Sequence, residues 1–161
     1  NLVYNSAYIY FSYVAVYIIV AFCVALSLQA TPNKPCDESP LPVELRVDGC
    51  NSLPCNLHRG TNLTAQWDFV ADSDSTKLTI SVNVMIFGYT VKYPYLQPDA
   101  CKSLSSGKCP LKKGDKATYT LVMPIVESIP TIPVTFEFGL YNEQSKPQVC
   151  FKLDGKVVKK K

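Results

Sequence analysis

Apolar and polar residues alternate with a period of two along much of the chain. The alternation is clearest in five stretches, which are residues 62–69, 77–86, 116–123, 134–140 and 149–154. Successive side chains of a β-strand point to opposite faces, so each stretch predicts a strand with one apolar face. Residues 43–47 and 89–93 show weaker alternation and predict two more strands.

Turn-forming residues separate these stretches, and no long helical pattern is present. The turn residues are Asp48-Gly49, Arg59-Gly60, residues 72–75, residues 105–107, residues 113–115 and Asp154-Gly155. Short strands at this spacing indicate an all-β fold. We therefore predict an immunoglobulin-like antiparallel β-sandwich of about seven strands.

The first 30 residues carry no charged side chain, and residues 14–28 form an almost unbroken apolar run of 15 residues. This length suits the apolar region of a signal peptide better than a membrane span, which needs about 20 residues. We expect residues 1–30 to be a cleaved signal peptide and residues 31–161 to be one domain. An uncleaved anchor is the alternative, because the apolar run lengthens if it is counted from Ala7.

The net charge of +3 comes from scattered and mixed charges, so nothing indicates a nucleic-acid partner. Asn62-Leu63-Thr64 is a glycosylation sequon, which makes Asn62 a candidate glycosylation site. With the leader, this predicts a secreted, extracellular protein, and the lysosomal lumen is the alternative.

Seven cysteines are present, and Cys23 lies in the leader, which leaves six for the domain: Cys36, Cys50, Cys55, Cys101, Cys109 and Cys150. An even set behind a secretory leader predicts a disulfide framework, for which 15 connectivities are possible. The spacing does not fit structural zinc, and the chain has one histidine, His58. We therefore expect no metal.

A catalytic constellation is missing from the sequence. His58 is the single histidine, and neither a G-x-S-x-G motif nor a pair of carboxylates at catalytic spacing stands out. We expect His58 to cap a turn beside Cys55, and we expect neither enzyme activity nor a cofactor.

Two segments between the predicted strands, residues 93–98 and 123–133, are apolar and rich in proline where loops are usually polar. At one end of a sandwich such loops can form the mouth of an apolar cavity between the sheets. They can equally pack over the end of the core as a plug, and the pattern does not separate these two interpretations.

Several motifs around the cysteines identify the chain as similar to a known family. They are residues 49–55 (Gly-Cys-Asn-Ser-Leu-Pro-Cys), residues 57–60, residues 97–101, residues 109–114, Met123-Pro-Ile125 with Ile129-Pro130, and residues 149–151. In these motifs the chain resembles the ML (lipid-recognition) domain, with similarity to Niemann–Pick type C2 sterol carriers and group 2 mite allergens. The resemblance covers residues 36–153.

The resemblance implies the disulfide pairs Cys36–Cys150, Cys50–Cys55 and Cys101–Cys109, and a cavity that holds one lipid between the sheets. The expected lining at the mouth is Tyr93, Pro94, Ile125, Ile129 and Pro130. Inward residues of the strands complete the expected contacts: Leu63, Trp67, Leu121, Phe136 and Phe138. Lys92, Tyr93 and Ile129 depart from the residues of the sterol carriers, so the expected ligand is a sterol, a fatty acid or another long-chain lipid.

We therefore expect a monomeric carrier that binds one lipid and transfers it to a membrane or membrane-protein acceptor. The resemblance implies that Met85, Phe87 and Tyr89 form the transfer surface, although a register shift near Gly88 could turn these side chains inward. The alternative function is that of a receptor-accessory or innate-immune lipid-sensing protein.

Overall fold

The computed structural model describes residues 30–95 and 97–160. The expected signal peptide, with Cys23, therefore lies outside the described residues except for Ala30. Within the described ranges, no helix has the length and apolar character needed to cross a membrane.

Two sheets face each other across one apolar core. The six-stranded sheet contains β1 (Lys34–Pro35), β3 (Cys55–His58), β5 (Thr79–Ile86), β6 (Tyr89–Lys92), β9 (Pro133–Tyr141) and β10 (Pro147–Val158). The four-stranded sheet contains β2 (Glu44–Val47), β4 (Thr61–Val70), β7 (Leu104–Ser106) and β8 (Lys116–Ile125). Their orders are β1-β10-β9-β5-β6 and β2-β4-β8-β7, and every pairing is antiparallel except that of β3 with β10. The predicted all-β sandwich is confirmed.

All seven predicted strands are present, and three short ones were not predicted. These are β1, β3 and β7, which have two to four residues each. These strands are defined by their pairing with longer strands, since β1 and β3 pair with β10 and β7 pairs with β8.

The prediction of a turn at Asp154-Gly155 is wrong, because both residues lie within β10. Asp154 accepts hydrogen bonds from Lys34 of β1 and Thr135 of β9. Its carboxylate therefore links neighbouring strands of the sheet and does not form a turn. Gly155 allows β3 to approach β10 closely, since a Cβ there would lie 2.7 Å from Cδ1 of Leu57.

The core forms where the apolar faces of the two sheets meet. Trp67 of β4 is fully buried, and its ring centroid lies 6.1 Å from that of Phe138 and 5.1 Å from that of Phe151, both in the opposite sheet. Alternate residues of β4, β8 and β9 are buried as the sequence pattern predicts.

Three disulfides brace this sandwich, and they are the pairs that the family resemblance implies. Cys36 is bonded to Cys150 across 114 positions of sequence, whereas Cys50–Cys55 and Cys101–Cys109 span 5 and 8 positions. The long bridge ties the segment after β1 to β10, and the short ones hold local turns. If a disulfide stabilises by lowering the entropy of the unfolded chain, the bridge that closes the longest loop, Cys36–Cys150, contributes the most, about 4–5 kcal/mol.

Candidate functional site

An apolar pocket of 180 Å³ opens on the inner face of the six-stranded sheet, at the end where the β5–β6 hairpin lies, and no described residue of the four-stranded sheet belongs to its lining. Its floor is the inner face of the six-stranded sheet, to which β5, β9 and β10 contribute apolar side chains. Tyr93, Pro94 and Ile129 from two loops border it. The complete lining is Val84, Ile86, Val91, Lys92, Tyr93, Pro94, Ile129, Val134, Phe136 and Val157.

The first loop, which follows β6, is fastened to the opposite sheet by tyrosine hydroxyls. Tyr93 donates a hydrogen bond to the carbonyl of Pro124 at 2.6 Å, and Tyr95 donates to the carbonyl of Val122 at 3.4 Å. Both acceptors are in β8, which β7 covers only at Thr118 and Tyr119. The backbone carbonyls of Val122 and Pro124 have no partner in β7, and the two tyrosine hydroxyls donate hydrogen bonds to them instead.

The second loop, residues 126–132, is held by the turn between β3 and β4. Arg59 donates from Nη1 to the carbonyls of Glu127 at 3.1 Å and Ile129 at 3.4 Å. Gly60 has φ +72°, and its N–H donates to the carbonyl of Ile125 at 2.6 Å. These bonds hold Ile129 at the edge of the pocket.

The mouth of the pocket carries one charged side chain and one tyrosine hydroxyl. Among the described residues of the lining, Lys92 alone is charged, and it is exposed. Burial raises the pKa of the Tyr93 hydroxyl above its ordinary value, so this group is protonated and able to donate throughout the physiological pH range. The site therefore combines an apolar interior with one cation at its rim, where the Tyr93 hydroxyl donates to Pro124.

The pocket brings together four of the residues expected to contact lipid, which are Tyr93, Pro94, Ile129 and Phe136. Pro130 is exposed and is not part of the lining. The other six lining residues were not among the expected contacts: Val84, Ile86, Val91, Lys92, Val134 and Val157. Val84, Ile86 and Val134 lie on the apolar faces that the alternation predicts, so the pattern contained the signal for them.

The other expected contacts lie elsewhere. Trp67, Leu121 and Phe138 are fully buried in the packed core. Leu63 and Ile125 border a separate depression of 450 Å³ near the Cys50–Cys55 bridge, whose remaining lining is largely polar.

The same depression holds His58, whose Nδ1 lies 3.1 Å from the carbonyl oxygen of Lys159. This backbone contact, and not a turn beside Cys55, is the polar partner of the His58 ring. Asn62, the sequon residue, is exposed at the start of β4.

The hairpin that joins β5 to β6 projects apolar side chains into solvent. Phe87 is 80% exposed and Tyr89 is 78% exposed, whereas Met85 is half-buried. Phe87 has φ +50° and Gly88 has φ +83°, which form the tight turn of the hairpin. Phe87 and Tyr89 are thus not turned into the core. The pairing of Tyr89 with Ile86 nevertheless places Tyr89 on the face of the sheet that lines the pocket, whereas Met85 lies on the other face, so the three expected residues do not share one face.

These features define the class of protein: a disulfide-braced β-sandwich with an apolar pocket beneath the loops at one end. The family model described as the ML domain matches residues 30–157, and the chain belongs to this family.

Relatives of known name agree with this assignment. The mite group 2 allergen Lep d 2 of Lepidoglyphus destructor is 38% identical over 76 residues, which are 47% of this chain and 52% of that protein. The NPC intracellular cholesterol transporter 2 homolog a of Drosophila melanogaster is 28% identical over 114 residues, covering 69% of this chain and 76% of the relative.

A solved structure shows the same fold. The Niemann–Pick type C2 protein from Japanese carpenter ant matches with a TM-score of 0.70 at 20% sequence identity. The match covers 78% of this chain and 97% of the ant protein.

Proposed function

We propose that this protein is a carrier that binds one lipid between its two sheets and transfers it to an acceptor. The observation that carries the proposal is the apolar pocket, which lies on the inner face of the six-stranded sheet and opens to solvent beside Tyr93 and Ile129. Burial of apolar surface supplies about 25 cal/mol per Å², so a lipid needs few polar contacts to bind in such a pocket.

The relatives support this proposal by what their names state. Several curated relatives are named as NPC intracellular cholesterol transporters, including that of Bos taurus, which is 27% identical over 68% of this chain. Transport of a small apolar molecule is consistent with the pocket and with the side chains that line it.

Lipid uptake must enlarge the pocket. Its 180 Å³ is below the roughly 300–1,000 Å³ of typical small-molecule sites. The elements that can yield are the two loops at the mouth, since the strands beyond them are held by continuous ladders and by the bridge from Cys36 to Cys150. We infer that the two loops move apart when the contact between Tyr93 and Pro124 breaks.

The rim favours a lipid with an anionic head. Lys92 places an ammonium group beside an otherwise apolar lining, where a carboxylate can pair with it while the hydrocarbon chain enters the pocket. A fatty acid is therefore the ligand that we propose first. A sterol offers no charge to Lys92, and its binding would depend on apolar burial alone.

Transfer is assigned to the β5–β6 hairpin. Phe87 and Tyr89 are the most exposed large apolar side chains in the part of the chain that the structure describes, and Val91, which is 57% exposed, also lines the pocket. An apolar patch at the mouth can insert into the boundary of a membrane, so that lipid passes between protein and bilayer without crossing water. We propose that the carrier acts as a secreted or lysosomal monomer, after removal of residues 1–30, with Asn62 as a glycosylation site.

Native mass spectrometry after exposure to lipid extract tests the carrier function. The expected result is one lipid bound per chain, released when the protein is denatured. If no sterol, fatty acid or phospholipid is retained at any protein concentration, the carrier function is wrong.

A further inference from the structure

Trp67 and Tyr119 form a pair deep between the sheets. They lie directly opposite each other on β4 and β8, with ring centroids 4.7 Å apart. Both side chains are fully buried on the inner face of the four-stranded sheet.

Each of these side chains carries a polar atom that the protein does not satisfy. Neither Nε1 of Trp67 nor the hydroxyl of Tyr119 has a hydrogen-bond partner among the described residues. A buried donor without a partner costs about 1–3 kcal/mol, and such groups are rare in folded proteins. Phenylalanine at position 119 would fill almost the same space without this cost.

A continuous row of aromatic rings leads from the pocket to this pair. Phe136 lines the pocket, and its ring is stacked on that of Phe138 at 5.7 Å. Phe138 lies 6.1 Å from Trp67, which in turn contacts Tyr119. Phe138 and Trp67 are fully buried in the packed core, so a chain that enters at the mouth reaches the two unpaired donors only by displacing these rings.

The surroundings of the pair select an uncharged group. The rings of Phe138 and Phe151 lie against Trp67, and no charged side chain is fully buried among the described residues. A carboxylate at this depth would therefore lack a counter-charge, which is strongly unfavourable. Burial is the main cause that raises the pKa of Tyr119, so the hydroxyl is protonated. The hydroxyls of Tyr95 and Ser103 also act on this pKa, but neither forms a hydrogen bond of normal geometry with Tyr119.

We propose that Trp67 and Tyr119 bind an uncharged oxygen, a hydroxyl or a carbonyl, at the inner end of the lipid. This inference rests on the proposed carrier function and refines its ligand class to lipids that are oxygenated at both ends. The oxygen accepts hydrogen bonds from Nε1–H of Trp67 and from the hydroxyl of Tyr119. A ligand hydroxyl can also donate to Tyr119, whose oxygen has acceptor capacity.

Stearic acid and ω-hydroxystearic acid test the proposal, because they differ only at the end remote from the carboxylate. The cost of burying a charge keeps the carboxylate at the mouth in both, so the inner end is defined. We expect the ω-hydroxy acid to bind about 10-fold more tightly, since it satisfies donors that the methyl end leaves unpaired.

Two variants and one control identify the residues responsible. Tyr119→Phe and Trp67→Phe should each lower the affinity ratio of the two acids toward 1, whereas Ile129→Val at the mouth should weaken both acids equally. Tyr119→Phe should also leave the urea midpoint of the lipid-free protein unchanged or raise it, because it deletes an unpaired donor. A purely structural role for the hydroxyl predicts a lower midpoint.

NMR supplies a direct readout, because the chain has a single tryptophan and hence one indole N–H resonance. This resonance should shift downfield with the ω-hydroxy acid and less with stearic acid. Equal affinity of the two acids for the unmodified protein would overturn the inference and leave the carrier function intact. Failure of both acids and of all other lipids to bind would instead overturn the carrier function itself.

Discussion

The hydroxyl of Tyr93 donates to the carbonyl oxygen of Pro124 at 2.6 Å and thereby joins the two sheets across the mouth of the pocket. The donor follows the edge strand β6, and the acceptor lies near the end of β8. With the longer bond from Tyr95 to Val122, it closes the gap through which we propose that lipid enters.

Replacement of Tyr93 by phenylalanine should accelerate lipid exchange. Loss of one hydrogen bond of this kind is worth about 0.5–1.5 kcal/mol, which corresponds to roughly a 2- to 10-fold increase in the rate at which the mouth opens. Stopped-flow fluorescence with a labelled fatty acid measures both the association and the dissociation rates, and both should increase.

Tyr141→Phe is the matched control, because Tyr141 ends β9 at the opposite end from the pocket-lining Val134 and Phe136. This variant should exchange lipid at the unmodified rate. If Tyr93→Phe also leaves both rates unchanged, the hydrogen bond to Pro124 does not limit entry.

The exposed hairpin should govern transfer to membranes and not the affinity for lipid. Replacing Phe87 by asparagine, which tolerates positive φ, and Tyr89 by serine removes two large apolar side chains from the surface. Full burial of such a side chain in a membrane contributes about 1.5–3 kcal/mol to the free energy of membrane binding. Transfer of lipid to vesicles should therefore slow about 10-fold or more in this variant. The equilibrium dissociation constant of the lipid should change by less than about 2-fold.

Val43→Ser controls for the general loss of apolar surface, since Val43 is 71% exposed beside the four-stranded sheet. Its transfer rate should equal that of the unmodified protein. Equal slowing in the control and in the hairpin variant would show that transfer does not depend on the hairpin.

The sequence predicts which faces of the long strands are buried but not which buried side chains border open space. Phe136 and Phe138 lie on the same face of β9, two residues apart, yet Phe136 lines the pocket and Phe138 is packed among rings. The period of two is identical for both positions. The difference arises from the opposite sheet, where Trp67 fills the space in front of Phe138, and such a contact between distant segments leaves no local pattern.

The bond between Tyr93 and Pro124 was unpredictable for the same reason, since 31 positions of sequence separate its partners. The resemblance placed Tyr93 at the mouth, and the structure adds what its hydroxyl does there. The disulfide pairs, in contrast, were predictable. The number of cysteines allows 15 connectivities, and the family resemblance of the motifs around them implied the one that the structure contains.

The charge of Lys92 should make the affinity for fatty acids depend on salt. Lys92→Met should reduce the affinity for a fatty acid by about 2- to 5-fold, as expected for an exposed ion pair, and leave that for the matching alcohol unchanged. Titrations at low and high ionic strength measure the effect, which salt should diminish in the unmodified protein.

Lys108→Met removes an equal charge from an exposed site outside the pocket lining and should alter neither affinity. A parallel decrease for acid and alcohol in Lys92→Met would mean that the lysine acts through packing and not through charge.

An ion pair on the four-stranded sheet should make stability fall at low pH. Arg46 donates from Nη1 to Oδ2 of Asp68 at 2.8 Å and from Nη2 to Oδ1 at 2.9 Å, and Thr118 also donates to Asp68. These hydrogen bonds, first that from Arg46, lower the pKa of Asp68 below its ordinary value of 3.8. The stabilisation is therefore complete above that value and is lost as pH falls through the lower pKa of the folded state.

Asp68→Asn should lower the free energy of unfolding by about 1 kcal/mol at pH 7, a value limited by the partial exposure of both partners. Urea unfolding should show the same difference at pH 5, where the carboxylate is still ionised, and a smaller one at pH 3. Glu44→Gln is the control, because Glu44 lies 3.1 Å from Arg46 but is more exposed. A difference for Asp68→Asn that does not depend on pH would contradict the assigned pKa direction.

Photo-crosslinking with a fatty acid that carries a photoactivatable group along its chain tests the central claim most directly. The carrier account predicts one crosslink per chain, at residues that line the pocket, with Ile129 and Phe136 foremost. Crosslinks confined to the exposed hairpin at Phe87 and Tyr89, or to the polar depression beside His58, would contradict it by showing that lipid adheres outside the space between the sheets.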